Sequence, residues 1–183
     1  MARYTETDPA ALDPAQRRIW DEIAAGPRGG VPAPLQIWLK SPELAARAQH
    51  LGAFARYGTS LPPRLSELAI LCTARFWTSQ YEWHHHESFA RKAGIGDAVI
   101  AAIAARRVPV FEKEDERAVY EFCTAFYRDK AVDDATFQRA AALLGERGVV
   151  ELVGVMGYYS LISITLNAFE VPVPAGAEPP LAP

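Results

Sequence analysis

Apolar residues recur along most of the chain at the 3.6-residue spacing of amphipathic helices, and no stretch of β-branched residues alternates with period two. The pattern predicts an all-α fold. A short helix over Pro14–Ala24 precedes a Pro/Gly-rich stretch, GPRGGVPAP at 26–34, that reads as an arm or loop without a regular element. Ser41-Pro42-Glu43 starts the next helix, with Ser41 as N-cap and Pro42 at the first helical position, where its missing N–H costs nothing. That helix reaches about Arg56 and stops at the Tyr57–Ser60 turn.

Pro62-Pro63 opens a helix whose apolar face carries Leu65, Leu68, Ala69, Cys72 and Phe76. Ser79-Gln80-Tyr81-Glu82 fits the S-x-x-E capping box, so Tyr81 to Lys92 is expected to be helical and to end at Gly94. Shorter or more charged helices follow at Ala98–Arg107, Lys113–Tyr127 and Ala135–Leu144. Gly145 and Gly148 then separate the last helix, Val149–Ala168, which is apolar on nearly all sides and therefore expected to be central or shared between subunits. The tail VPVPAGAEPPLAP is too proline-rich for a helix and is expected to fray.

The expected architecture is one helical domain over residues 1–183, with a 1–40 arm and a 171–183 tail. At 183 residues and half apolar, the chain can bury a core without disulfides or metal. A net charge of −3 without a basic run removes the electrostatic footprint of a nucleic-acid binder. Cys72 and Cys123 lie far apart and belong to no CxxC, which suits a reducing compartment. The N-terminus lacks the apolar stretch of a secretory signal, so a cytoplasmic location is expected. Leu152–Leu166 is uncharged but shorter than the roughly 20 residues a membrane span needs, and no membrane partner is expected.

Ionisable groups meet apolar helices most densely in RLSELAILCTARFWTSQYEWHHH, residues 64–86. Glu82 and His86 are four apart on one expected helix, so both project from one face and can share a proton, a substrate or an ion. His85 flanks that face and His84 lies off it. Glu67 sits among Leu65, Leu68 and Leu71 on the preceding helix. A carboxyl in apolar surroundings can deliver or remove a proton near neutral pH, with histidine as its counterpart. Blander assignments stand beside this one: Glu67 paired with Arg64, Ser79 and Glu82 only capping a helix, and solvated histidines.

RLSELAIL, YEWHHHESFARKAG and GVVELVGVMGYYSLISITLNAFEVPVP together resemble the carboxymuconolactone decarboxylase family, in its cysteine-lacking branch. The similarity runs along nearly the whole chain. In the alkylhydroperoxidase-like members a glutamate precedes a CxxC by about a helix length, and a histidine follows the second cysteine by four positions. By that alignment Glu67 takes the glutamate position, Ser79 and Glu82 the two cysteines, and His86 the histidine. Dithiol peroxide reduction needs a thiolate and a resolving thiol, which Ser79 and Glu82 cannot supply.

The resemblance implies an alkylhydroperoxidase-like helical bundle, a homotrimer or hexamer, and proton-transfer or decarboxylation chemistry on a small lactone or keto acid without cofactor or metal. Glu67, Glu82 and His86 would be the catalytic groups, with Ser79, Tyr81 and His85 contacting substrate. Arg64 and Arg75 are candidates to orient a substrate carboxylate. Two other readings compete: a metal-assisted hydrolase or isomerase built on Glu82 and His86 with Glu67 or His85, and a ligand-sensing module without catalysis.

Overall fold

The computed structural model describes residues 3–183, so Met1 and Ala2 of the expected arm lie outside the described residues. Among these residues there are eight α-helices and no strand. Helix α1 (Pro14–Ala24) begins with a capping box between Asp13 and Gln16. The Pro/Gly stretch is less irregular than expected, because its end enters a short helix, α2 (Ala33–Trp38). Pro34 falls in the first turn of α2, where a lost N–H is harmless, and the helix is buried throughout.

Helices α3 (Pro42–Tyr57), α4 (Pro63–Phe76), α5 (Gln80–Lys92), α6 (Asp97–Ala104) and α7 (Glu114–Asp129) follow the sequence expectations within a few residues. Two expected caps are not made. Neither Ser41 nor Ser79 bonds a backbone N–H with its side chain. The capping box at Ser79 fails because its Glu82 carboxylate is drawn to His86 instead.

The two expected C-terminal helices join as α8 (Asp134–Ala168), interrupted at Gly145 with φ 72° and ψ 165°. Only glycine takes that conformation without strain, so the punctuation residue is retained as a kink rather than a loop. Both α4 and α8 are central: Leu65 through Arg75 are buried without a break and α4 packs on α5, α6, α7 and α8, while α8 packs on α2, α3, α4, α5 and α7. Helix α8 buries Leu152, Val155, Tyr159 and Ile162 but leaves Val150 and Val153 exposed. It is long and apolar enough to cross a membrane, yet 61% of its most apolar window is buried within the fold.

The tail forms no helix, as expected, but it does not fray. Gln80 clasps the Leu181 backbone with bonds of 2.8 and 2.9 Å, Arg75 Nη2 donates to the Ala182 carbonyl at 2.9 Å, and the Leu181 side chain is buried. Burial of one leucine offsets the ordering of a chain that proline has already stiffened.

Candidate functional site

Helices α4 and α5 are antiparallel neighbours joined by a three-residue turn, Trp77–Ser79, in which Thr78 has a positive φ of 47°. This turn sets Glu67 of α4 against His86 of α5. His86 Nδ1 lies 2.6 Å from Glu67 Oε2, and its Nε2 lies 3.0 Å from Glu82 Oε1 one turn earlier on α5. The ring is 1% exposed. Glu67 therefore pairs with His86 and not with Arg64, which is held by Asp115 and Glu116 of α7. His86 is not a solvated surface group.

A third group completes the cluster. Arg56 Nη1 of α3 lies 2.8 Å from His86 Nε2, with its guanidinium 4.6 Å above the Phe89 ring. Nε2 thus faces a donor and an acceptor at once. The neutral ring can accept from Arg56 while Nδ1–H donates to Glu67; the imidazolium donates to both carboxylates and repels Arg56. Burial opposes the charged ring, but Glu82 and Glu67 outweigh it and hold the pKa above the ordinary histidine value. The direction follows from charge balance, since two carboxylates facing one arginine leave room for one further positive charge.

His86, Glu82, His85 and Tyr81 line one cavity of about 80 Å³, closed by Pro34 and Leu35 of α2, Gly52 and Arg56 of α3, and Tyr158, Tyr159 and Ile162 of α8. Such a volume holds several waters or one small organic molecule. Arg28 adds a second guanidinium to the wall, anchored on the Gln49 carbonyl at 3.1 Å. His85, at the mouth, is pushed down to about 4 by desolvation and by its neighbour His86, so it is neutral at physiological pH. Burial raises the Tyr159 phenol far above its ordinary value and the Tyr158 phenol to about 12, keeping both as neutral hydrogen-bonding groups.

Two expected site residues stand elsewhere. Glu67 is behind His86 rather than on the cavity wall, so it meets substrate only through the ring. Ser79 is wholly buried, lines no part of the cavity, and its hydroxyl has no partner. Arg75 and Arg64, proposed from proximity, also point away. The arginines that reach the cavity, Arg28 and Arg56, come from the arm and from α3, and nothing in their local sequence pattern marks them. Among the described residues no group of three or more His, Cys, Asp or Glu is arranged to hold a metal ion; both ring nitrogens of His86 are already taken by carboxylates.

Residues 42–125, which contain α3 to α5 and all of Glu67, Glu82 and His86, match the carboxymuconolactone decarboxylase family model. Over those residues the chain is similar to the carboxymuconolactone decarboxylase family. No curated protein matches the sequence. Among solved structures, the apo debrominase Bmp8 is 17% identical with a TM-score of 0.70, covering 88% of this chain and 87% of that one. A cysteine-to-alanine Bmp8 variant in complex with 2,3,4-tribromopyrrole is 18% identical with a TM-score of 0.69, covering 94% and 90%. An Agrobacterium tumefaciens protein of unknown function, likened to the antioxidant defence protein AhpD, is 19% identical with a TM-score of 0.67, covering 76% and 96%. At these identities the likeness establishes the fold.

The two thiols of the chain lie away from the His86 cavity. Cys72 and Cys123, distant in sequence, are free and buried on α4 and α7, near enough for one thiol to shift the other. The Cys72 thiol and burial push Cys123 well above the usual thiol range. A thiol so held is a poor nucleophile.

Proposed function

We propose that the chain is a cofactor-independent enzyme that decarboxylates, or moves a proton on, a small lactone or keto acid in the His86 cavity. The observation carrying this reading is the buried Glu67–His86–Glu82 chain ending on a cavity wall that also holds Arg56 and Arg28. Arginines bind a carboxylate, a histidine with a raised pKa holds a transferable proton, and the phenols of Tyr158 and Tyr159 offer neutral donors.

In the proposed step the substrate carboxylate leaves as carbon dioxide, and the electron pair of the broken C–C bond moves into the adjacent lactone or carbonyl as an enolate. Arg56 steadies the enolate oxygen. Glu67 and Glu82 balance the His86 imidazolium; its Nε2–H then passes to the carbon, which leaves a neutral imidazole, and a solvent proton restores the imidazolium. Glu67 is then a positioning residue. A small acid or lactone is the partner this site calls for, and the exposed apolar strip of α3 and α8 supports a second copy of the chain as the other. The buried share of α8 supports a soluble protein.

The test is carbon dioxide release and loss of lactone absorbance with 4-carboxymuconolactone, using wild type, His86→Ala and Glu67→Gln. Turnover is expected in wild type and a loss of about 10²-fold or more in His86→Ala, the usual scale of general acid–base catalysis. Absence of turnover by folded wild type would discard this substrate. Saturable binding of the lactone without turnover would favour the ligand-sensing alternative.

A further inference from the structure

A second cavity, of about 240 Å³, opens between α4, α6 and α7 and shares no residue with the His86 cavity. Its apolar wall includes Cys72, Phe76, Ile103 and the ring of Tyr127, with Phe76 and Tyr127 stacked at 4.3 Å and 13°. Four arginines and no acidic residue line it. Arg128 is paired with Asp129, but among the described residues Arg75, Arg106 and Arg107 form no ion pair.

Arg75 is the unusual member. It is 5% exposed, and its Nε has no hydrogen-bond partner. Its Nη1 donates to Thr78 Oγ1 at 3.1 Å, and Arg106 Nη2 donates to the same oxygen at 3.1 Å. Two guanidinium groups thus converge on one neutral hydroxyl. Burial, then the like charge of Arg106, lowers the Arg75 pKa. A buried guanidinium is ordinarily matched by a carboxylate, because an unpaired charge away from water is costly. Here the chain supplies only a carbonyl and a shared hydroxyl, so a negative charge from outside would relieve both arginines.

We propose that this cavity is a second ligand site, for a small aromatic carboxylate whose carboxylate bridges Arg75 and Arg106 and whose ring lies on the Phe76–Tyr127 wall. Size agrees, since the cavity exceeds the His86 cavity threefold, and so does the division of the wall into a cationic end and an aromatic face. A bare inorganic anion would satisfy the arginines but leave that apolar face wet. No histidine or carboxylate lines it, and its role is binding.

The probe is benzoate, titrated calorimetrically into the full-length protein at low and at moderate salt, with benzyl alcohol and inorganic phosphate as comparisons. Saturable binding is expected, weakened by salt, and about tenfold or more weaker in Arg106→Ala, which removes an exposed side chain and should fold normally. Benzyl alcohol should bind about tenfold more weakly than benzoate by the same loss, while the component of benzoate binding that Arg106→Ala weakens should persist in Arg56→Ala. The proposal fails if Arg106→Ala has no effect, if Arg56→Ala abolishes binding, if phosphate binds as tightly as benzoate, or if no saturable binding occurs because another subunit covers the cavity. None of these outcomes depends on turnover at His86.

Discussion

Two carboxylates raise the His86 pKa above the ordinary histidine value, and that has a consequence for stability. Its folded pKa lies above the unfolded value of 6.5, so its contribution is fully present below about 6.5 and is lost as pH rises through the folded value. Urea unfolding of wild type and His86→Gln should therefore show the largest difference near pH 6 and a smaller one near pH 9. A difference that grows with pH would mean that His86 is neutral when folded. His85 works the other way. Its folded value of about 4 makes stability full above 6.5 and reduces it as pH falls toward 4.

Arg56 opposes the His86 proton at 2.8 Å. Removing it should raise the His86 pKa further, so an Arg56→Ala variant is expected to titrate at higher pH by histidine NMR. If Arg56 also binds the substrate carboxylate, KM should rise by about tenfold or more, the scale of one lost charge-assisted hydrogen bond. An unmoved titration would mean that Arg56 does not touch the ring in solution. The Glu67, Glu82 and His86 set was legible in the sequence because helical spacing and the family pattern coincide on it. Arg56 was not, because it reaches the site from thirty residues away by tertiary packing alone.

At the scale of elements, local rules predicted where helices begin more reliably than how their first residues bond. Ser79 starts α5 as its position implies, but its hydroxyl is sealed without a partner and Glu82 is engaged by His86. A functioning N-cap would lose about 1 kcal/mol on mutation to alanine. Ser79→Ala should instead be neutral or slightly stabilising in chemical denaturation, because it removes an unsatisfied buried hydroxyl. A loss of about 1 kcal/mol would restore the cap.

Gly52 shows the converse case, a helix residue chosen against local propensity. Alanine would favour α3 by about 1 kcal/mol, but a Cβ there would overlap the Tyr158 phenol of α8 on the cavity wall. A ring held edge-on between Trp38 and Tyr159 cannot swing aside like the end of a flexible chain, so overpacking should win. Gly52→Ala is expected to destabilise by about 1–3 kcal/mol and to distort the cavity. The sequence gives no hint of this contact, because it depends on how closely α3 approaches α8.

At the scale of the molecule, the same approach leaves an apolar strip uncovered. Leu51 (50% exposed) and Phe54 (45%) of α3 lie beside Val150 (71%) of α8, around an open groove of about 550 Å³ that Gly154 deepens. The all-round apolar pattern of α8 anticipated a central or shared helix; α8 is central, and the fold still leaves part of it uncovered. What remains has the composition of an interface rather than of a scattered surface. Self-association through this strip is therefore expected, and sedimentation at micromolar concentration should show a species heavier than one chain. Val150→Lys places a charge in the middle of the strip without touching the core, so it should shift the protein toward monomer while leaving helix content unchanged by circular dichroism. A monomeric wild type, or an assembly indifferent to Val150→Lys, would overturn this assignment. Because Arg56 and Gly52 lie on the same helix as Leu51 and Phe54, separation of subunits should also loosen α3 against the cavity. The monomeric variant should then bind small acids more weakly at the His86 site, which titration at matched concentrations can read directly.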